Sequence, residues 1–368
     1  MKKKKILFIL HLPPPAHGAA KVGEFISQSI NLKNEYSCLF IPINSSKTID
    51  DIGRFSFRKL ALAIDLFIRI LFSLLFFRPQ KIYFTASIKG TAFYRDLVLS
   101  CLWKLYGLLI PAEVYYHYHT KGINDVVLSS RKNLLLTRFF LRKSNLILLS
   151  PLLLSDFRRV KVYKNTFTLS NGTEDPFTKD SFKKSIDLKY EMITRTEALY
   201  LSHMHEDKGY DKVLDIAKNS KNKNIHFNFA GNWHSKKEEE FFYSFIKEHN
   251  LGDIVTYHGY VEGKKKDDLF NLCHLLIYPS SNDAFPLTII ESLSYGVPVL
   301  ATNQGSIPYI LDENSGVVVY DNNLLLNEFH RAQSELVNKK TAIYSHQRFL
   351  EKFTLKKFET SLLGILND

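Results

Sequence analysis

Cysteine is scarce. Cys38, Cys101 and Cys273 are the only three in 368 residues. They are odd in number, far apart and without metal-ligand spacing, which argues against a disulfide framework and suits a reducing compartment. No D-x-D and no cluster of metal-ligand residues occurs, so nothing in the sequence calls for a metal or a cofactor. No tract is low in complexity, and no repeat relates one half of the chain to the other. Nothing resembles a DNA- or RNA-reading module, so nucleic acid is not an expected partner.

Long uncharged apolar runs are also missing. The nearest to one is LALAIDLFIRILFSLLFF, Leu60 to Phe77, with Asp65 and Arg69 near its centre. A spanning helix would hold both charges in hydrocarbon at a few kcal/mol each. Four residues apart, they can pair on one helical face. Two readings follow: a buried core helix, or a helix lying at a membrane surface between Arg54, Arg58, Lys59, Arg78 and Lys81. The start, MKKKKILFILHLPPPAHGAA, imitates a secretory signal. Its apolar stretch is only about seven residues, the lower limit for such a segment. His11 and three prolines follow at once, so Ile6 to Leu12 reads as a buried first strand.

What is present is apolar bulk and positive charge. Hydrophobic residues make up 45% and aromatics 13%, enough for sizeable cores, and the length points to two domains. The net charge of +12 fits partners bearing phosphate or an anionic lipid surface. Basic residues cluster in the first half, as in RKNLLLTRFFLRK, Arg131 to Lys143, a mixture that suits lipid headgroups more than a duplex.

Short β-rich runs alternate with helical stretches. The first set is KILFIL from Lys5, CLFIPI from Cys38, KIYFTA from Lys81, EVYYHYH from Glu113 and NLILLS from Asn145. These runs are apolar or aromatic throughout, as strands covered on both faces should be. The grammar restarts after the polar stretch Ser170 to Ser185. ALYLSH from Ala198, IHFNFAG from Ile225, IVTYHGY from Ile254, LLIYPS from Leu275, PVLAT from Pro298 and GVVVY from Gly316 form the second set. The pattern is α/β, with two Rossmann-like doubly wound halves. Ligands of such sheets bind outside the carboxyl ends of the strands, so a cleft faced by both domains is the expected site.

Two stretches carry chemistry. In DAFPLTIIESLSYGVPVLA, Asp283 follows a strand and Pro286 can start a helix. Free N–H groups around Leu287 and Thr288 favour an anion. Glu291, one turn in, can accept two hydrogen bonds from a vicinal diol. Together these suggest a nucleotide, with diphosphate at the helix terminus and ribose on Glu291. On spacing alone, an exposed helical Glu and a turn Asp fit equally. In LSHMHEDKGYDKVLDIAK, Lys208-Gly209 opens a helix where a lysine can reach a phosphate, or can simply be a solvated loop residue.

In combination these motifs resemble the retaining glycosyltransferases of the GT-B fold, family four, the group 1 transferases. SHMHEDKG resembles the G-R-L-x-x-x-K-G loop, and VTYHGYVEGKKKDDLF the base-binding V-x-F-x-G-x-V stretch. YPSSNDAFPLTIIESLSYGVPVLAT resembles the carboxylate-x7-carboxylate helix followed by G-x-P-V. LSNGTE resembles the N-G turn between domains, HLPPPAHGAAKV stands where the N-terminal glycine loop belongs, and YYHYHTKG carries the strand-end histidine.

The resemblance implies roles. Glu291 would hold the ribose and Asp283 the donor-sugar hydroxyls. Lys208 and His203 would neutralise the diphosphate, with backbone groups of Phe285, Pro286, Leu287 and Thr288 lining the sugar and phosphate site. Gly259, Tyr260 and Val261 would border the base. His119 would touch the sugar near the reacting carbon, and Gly18 would let substrate approach the first helix. His117 and His119 also fit as partly buried strand-end residues. The chain departs from the family in five places: Asp283 for Glu, His203 for Arg, Ala284 for Gly, Tyr309 for the Glu of G-G-x-P-E, and Gly18 without a second glycine beside it.

The expectation is therefore a GT-B enzyme. Residues 1–175 form an acceptor-side domain, 190–350 a donor-binding domain, and 351–368 a helix crossing back to the first. It would move a sugar, with retention and without metal, from a UDP- or GDP-linked donor to a glycan or lipid-linked acceptor in cell-surface polysaccharide synthesis. It would work in the cytoplasm, peripherally on the inner face of the cytoplasmic membrane, against an anionic surface. A nucleotide-sugar 2-epimerase and a non-catalytic nucleotide-sugar-binding protein are the rival readings.

Overall fold

The computed structural model describes residues 3–14, 18–43, 57–191, 193–220 and 224–368. Pro15, Ala16 and His17, from the stretch that replaces the glycine loop, and Arg54 lie outside these residues. The chain divides into two compact units, Met1–Asn171 with Phe358–Asp368, and Gly172–Lys357.

The first unit is built on β1 (Lys5–Leu10), β2 (Ser37–Pro42), β3 (Lys81–Ala86), β4 (Glu113–Tyr118), β5 (Asn145–Leu148) and β6 (Thr166–Thr168). They form a parallel sheet in the order β2-β1-β3-β4-β5-β6. Helices α1 (Gly18–Gln28) and α2 (Ile30–Glu35) link β1 to β2. Helix α3 (Phe57–Phe72) leads to β3, α4 (Gly90–Leu109) to β4, and α5 (Ile123–Ser129) with α6 (Arg131–Leu141) to β5. The step from β1 to β2 runs opposite to all later steps. Right-handed crossovers therefore put α1 and α2 on one face, and α3 to α6 side by side on the other. Every residue of β3 is buried, which explains its lack of alternation. At Gly23 an added Cβ would lie 2.1 Å from the His11 carbonyl, so only glycine lets α1 press on the end of β1.

The Leu60 to Phe77 segment is not a core helix. Helix α3 runs on through a π-helical turn, Ser73–Phe77, and only 17% of the segment is buried. Leu66, Ile70 and Leu74 face the unit, while Asp65 and Arg69 pair at 3.6 Å on the exposed side.

The second unit holds α7 (Lys179–Glu191), β7 (Thr196–Leu201), α8 (Tyr210–Asn219), β8 (Ile225–Ala230), α9 (Lys236–Glu248), β9 (Val255–Tyr257) and α10 (Lys264–Leu272). It continues with β10 (Leu275–Tyr278), α11 (Leu287–Ser294), β11 (Val299–Thr302), α12 (Ile307–Ile310), β12 (Gly316–Val319), α13 (Leu325–Leu336) and α14 (Lys339–Lys352). Its parallel sheet has the order β12-β11-β10-β7-β8-β9. The polar stretch up to Ser185 is not all linker. Phe182 and Ile186, four apart, anchor α7 on Ala342.

Helix α15 (Leu355–Asn367) ends the chain, and from Phe358 onward it belongs to the first unit. Phe358, Leu362, Ile365 and Leu366 are buried there. The Tyr36 hydroxyl donates to the Leu366 carbonyl at 3.0 Å, and Asn31 donates to Glu359 at 2.6 Å.

Candidate functional site

The carboxyl ends of β7, β8 and β10 carry the candidate donor site. After β7 the backbone passes through Ser202 and His203 into a 3-10 turn, Glu206–Lys208, and then Gly209. Gly209 has φ +79°, and a Cβ there would sit 2.5 Å from the Pro279 carbonyl. That approach brings the turn against the loop after β10. Lys208 Nζ donates to Asp283 Oδ2 at 2.6 Å and to the Asn282 carbonyl at 3.1 Å. The buried Tyr278 hydroxyl donates to the same Asp283 oxygen at 2.7 Å. Lys208 and Asp283 thus form one charged unit anchored from below.

Two further glycines hold this loop set. Gly305, with φ +52°, comes so near the 283–284 backbone that a Cβ would lie 2.3 Å from the Asp283 carbonyl. Ser306 N donates to the Ala284 carbonyl at 2.8 Å. Gly231, at φ +151°, would put a Cβ 1.8 Å from the Ser202 carbonyl, so it draws the end of β8 onto the His203 turn.

Pro286 is the N-cap rather than the first helical residue, and α11 begins at Leu287. It is extended (ψ 120°) because its ring fixes φ while the chain turns out of the loop. No side chain caps this terminus. The N–H groups of Leu287 and Thr288 therefore point out of the helix start, where partial positive charge favours an anion. Phe285 is buried behind it, 6.1 Å from the Phe353 ring.

Glu291 lies one turn into α11. Lys266, on α10, donates to its Oε1 at 3.0 Å, and both side chains are mostly buried. Gly259 adopts φ +71° after β9, Tyr260 is exposed with its hydroxyl on Glu262, and Val261 is buried. His203 is exposed, and its carbonyl accepts from the Tyr200 hydroxyl at 2.8 Å.

His119 and Gly18 belong to the first unit. His119 follows β4 with its ring 4.0 Å from that of His117. His117 is fully buried and bonded through Nδ1 to the Tyr83 hydroxyl. Burial, and then neighbouring His119, push its pKa well below the ordinary histidine value, so it stays neutral. Gly18 is exposed at the first position of α1.

Residues 183–349 match the family described as Glycosyl transferases group 1. They form a group 1 glycosyltransferase domain. An uncharacterized 41.2 kDa protein in the cps region of Klebsiella pneumoniae is 30% identical over 122 residues, covering 33% of this chain and 32% of that protein. The O-antigen chain mannosyltransferase B of Escherichia coli is 28% identical over 97 residues, 26% of this chain and 25% of that one. The chain thus spans about a third of the length of the curated relatives it matches. Among solved structures, Anabaena Alr3699/HepE in complex with UDP superposes with TM-score 0.69 at 14% identity, over 99% of each chain. Such superposition shows the GT-B fold. The group 1 domain contains Lys208, Asp283 and Glu291 as well as Lys266, Tyr278, Gly231 and Gly305, four residues that sequence reasoning missed.

Proposed function

We propose that the chain is a retaining, metal-independent glycosyltransferase. It takes a sugar from a UDP- or GDP-linked donor to a glycan or lipid-linked glycan in polysaccharide synthesis, on the inner face of the cytoplasmic membrane. The observation that carries the reading is the Lys208–Asp283 pair beside an uncapped helix start, with Glu291 one turn further along the same helix. The relative named for O-antigen mannosyl transfer and the UDP-bound structural neighbour support the acceptor and donor classes.

In this reading the diphosphate takes the α11 terminus and draws the Lys208 ammonium, with His203 beside it. Asp283, freed in part, accepts from donor-sugar hydroxyls, and Glu291 accepts from the ribose diol. His119 approaches the sugar near its reacting carbon. The acceptor oxygen bonds to the anomeric carbon on the face from which the phosphate oxygen departs. The departing diphosphate receives the acceptor's proton. Lys208, His203 and the helix terminus stabilise the charge that develops on it.

The test is incubation with UDP- and GDP-sugars, first alone and then with glycan acceptors. Slow donor hydrolysis, faster transfer and an unchanged anomeric configuration by NMR are expected, all insensitive to EDTA. Epimerisation of the donor, or binding without any turnover, would overturn the reading.

A further inference from the structure

The first unit presents an apolar layer that none of its described residues covers. On α3, Phe57, Leu60, Ile64, Ile68 and Phe72 are exposed at intervals of three or four. Leu75 and Phe76 prolong the stripe through the π-helical turn. On α4, Tyr94, Val98, Leu105, Leu108 and Leu109 repeat it, the last two 80% and 86% exposed. On α6 it ends with Leu135 and Phe139. Helix α3 packs on α4 and α4 on α6, so the stripes adjoin on one face of the sheet. Soluble surfaces scatter such residues singly, whereas contiguous patches mark an interface.

Charge says what covers it. Among the described side chains of α3, α4 and α6, the exposed charges are Arg58, Arg69, Arg131, Lys132 and Arg138, against Asp65 alone. Asp65 is already engaged by Arg69. Lys104 lies 5.2 Å from the Phe139 ring and Lys132 5.8 Å from that of Tyr94, each amine sharing the layer with an aromatic. Arg78, Arg142 and Lys143 border the end where Phe76, Leu108 and Leu109 project. Apolar stripes among basic residues match an anionic bilayer, which takes the rings and leucines at headgroup depth and pairs the cations with phosphate. Helix α3 cannot leave to span that bilayer, because Leu66, Ile70 and Leu74 are part of the unit's core.

We propose that the outer faces of α3, α4 and α6 together form a platform that lies flat on an anionic lipid surface. The tip residues Leu105, Leu108 and Leu109 enter it. This deepens the membrane placement proposed above and is independent of whether the chain transfers a sugar. The strand carboxyl ends that bear His119 and Gly18 stay at the rim of the layer rather than beneath it.

The experiment is flotation of the full chain with phosphatidylcholine vesicles, with and without phosphatidylglycerol. Cys101, exposed on α4, carries an environment-sensitive fluorophore in a Cys38→Ser background, Cys273 being buried. Anionic vesicles should bind at least roughly tenfold better than neutral ones, with the difference lost at high salt. The Cys101 probe should shift to the blue on binding. Leu105→Ser/Leu108→Ser/Leu109→Ser should weaken binding at every salt concentration. Arg131→Gln/Lys132→Gln/Arg138→Gln should abolish the preference for anionic lipid; these exposed residues can change without disturbing the core. Equal binding to both vesicles, or flotation with the probe still in a water-like environment, would overturn the proposal. So would a dimer that the leucine variant turns into monomer while vesicle binding stays the same, since the partner would then be a second copy. Donor hydrolysis on the same samples lets the transferase reading fail separately.

Discussion

The Lys208 ammonium lies 2.6 Å from Oδ2 of Asp283, although the two are 75 residues apart in the chain. Asp283 is one methylene shorter than the Glu that the motif usually places there. The Tyr278 hydroxyl fixes the same oxygen, and Gly305 lies close against the 283–284 backbone. In the proposed reaction the diphosphate draws Lys208 from Asp283, and the ammonium then meets the charge that develops on the leaving group. Lys208→Met is therefore expected to lower donor turnover by about 10²–10³-fold. It should also cost about 1–3 kcal/mol of stability, because it leaves the mostly buried Asp283 carboxylate without its charged partner. Kinetics of the two single variants and of Lys208→Met/Asp283→Asn should show non-additive losses; additive losses would mean that the two residues act separately.

Lys266 positions Glu291 in the same sense. The Lys266 bond fixes the direction in which the Glu291 carboxylate would meet a diol. Lys266→Met should weaken UDP binding by roughly tenfold, the worth of about one charge-assisted hydrogen bond. Binding of 2′-deoxy-UDP should hardly change, since it offers one hydroxyl fewer. Glu291→Ala should remove the preference for ribose over deoxyribose altogether. Calorimetry with both nucleotides reads all three, and a wild-type chain indifferent to the 2′-hydroxyl would remove Glu291 from the ribose site.

Eleven of the twelve strands among the described residues were legible, most of them because a parallel strand covered on both faces is apolar along its whole length. The missed one, Thr166–Thr168, is a three-residue edge strand with exposed threonines, too short and too polar for periodicity to register. Lys266 was invisible for another reason. It sits in the run KKKDD, where any lysine reads as solvated, and its partner is 25 residues away. Gly231 and Gly305 matter only through carbonyls that approach them from other loops. The Leu60 to Phe77 segment left two readings open because its apolar stripe is the same whether buried or exposed, and the packing of α3 excludes the buried core helix.

Acid should weaken the second unit most at Glu197, with a smaller part from Asp312, whose carboxyl is also held below its ordinary value by Ser315, Tyr344 and Arg348. Glu197, on β7, is buried and accepts from Arg195 Nε at 2.6 Å and Asn228 Nδ2 at 2.8 Å, with His226 Nδ1 at 3.2 Å. Burial alone would raise its pKa. The nearby His226 ring and the hydrogen bonds from Asn228 and Arg195 outweigh that and bring it from 4.5 down to about 2. Because the folded value is the lower one, the stabilisation is complete above 4.5 and is lost as pH falls towards 2. Its size is on the order of 3 kcal/mol. Urea unfolding between neutral and acid pH should therefore show a steep acid limb that Glu197→Gln flattens, at a comparable cost in stability at neutral pH. An unchanged limb would assign acid sensitivity to other groups.

The C-terminal helix tests how the two units divide their labour. Phe349 and Phe353 are buried in the second unit, whereas Phe358, Leu362, Ile365 and Leu366 complete the core of the first. The apolar residues of RFLEKFTLKKFETSLLGIL, Arg348 to Leu366, are therefore split between two cores, with a break at Phe353 and Thr354. Deleting Lys356 to Asp368 takes four buried side chains from the first unit, together with the bonds that Tyr36 and Asn31 make to α15. It removes nothing from the Lys208–Asp283 and Lys266–Glu291 pairs. The expected result is two separated unfolding transitions, with UDP binding retained by the later one and transfer to acceptor lost. Since deletion can cost the soluble protein, Leu362→Ala is the milder variant. Losing a buried leucine costs about 2–5 kcal/mol, enough to lower the melting of the first unit alone. Full turnover after the deletion, or an equal fall of both transitions in Leu362→Ala, would show that α15 does not serve the first unit's core specifically.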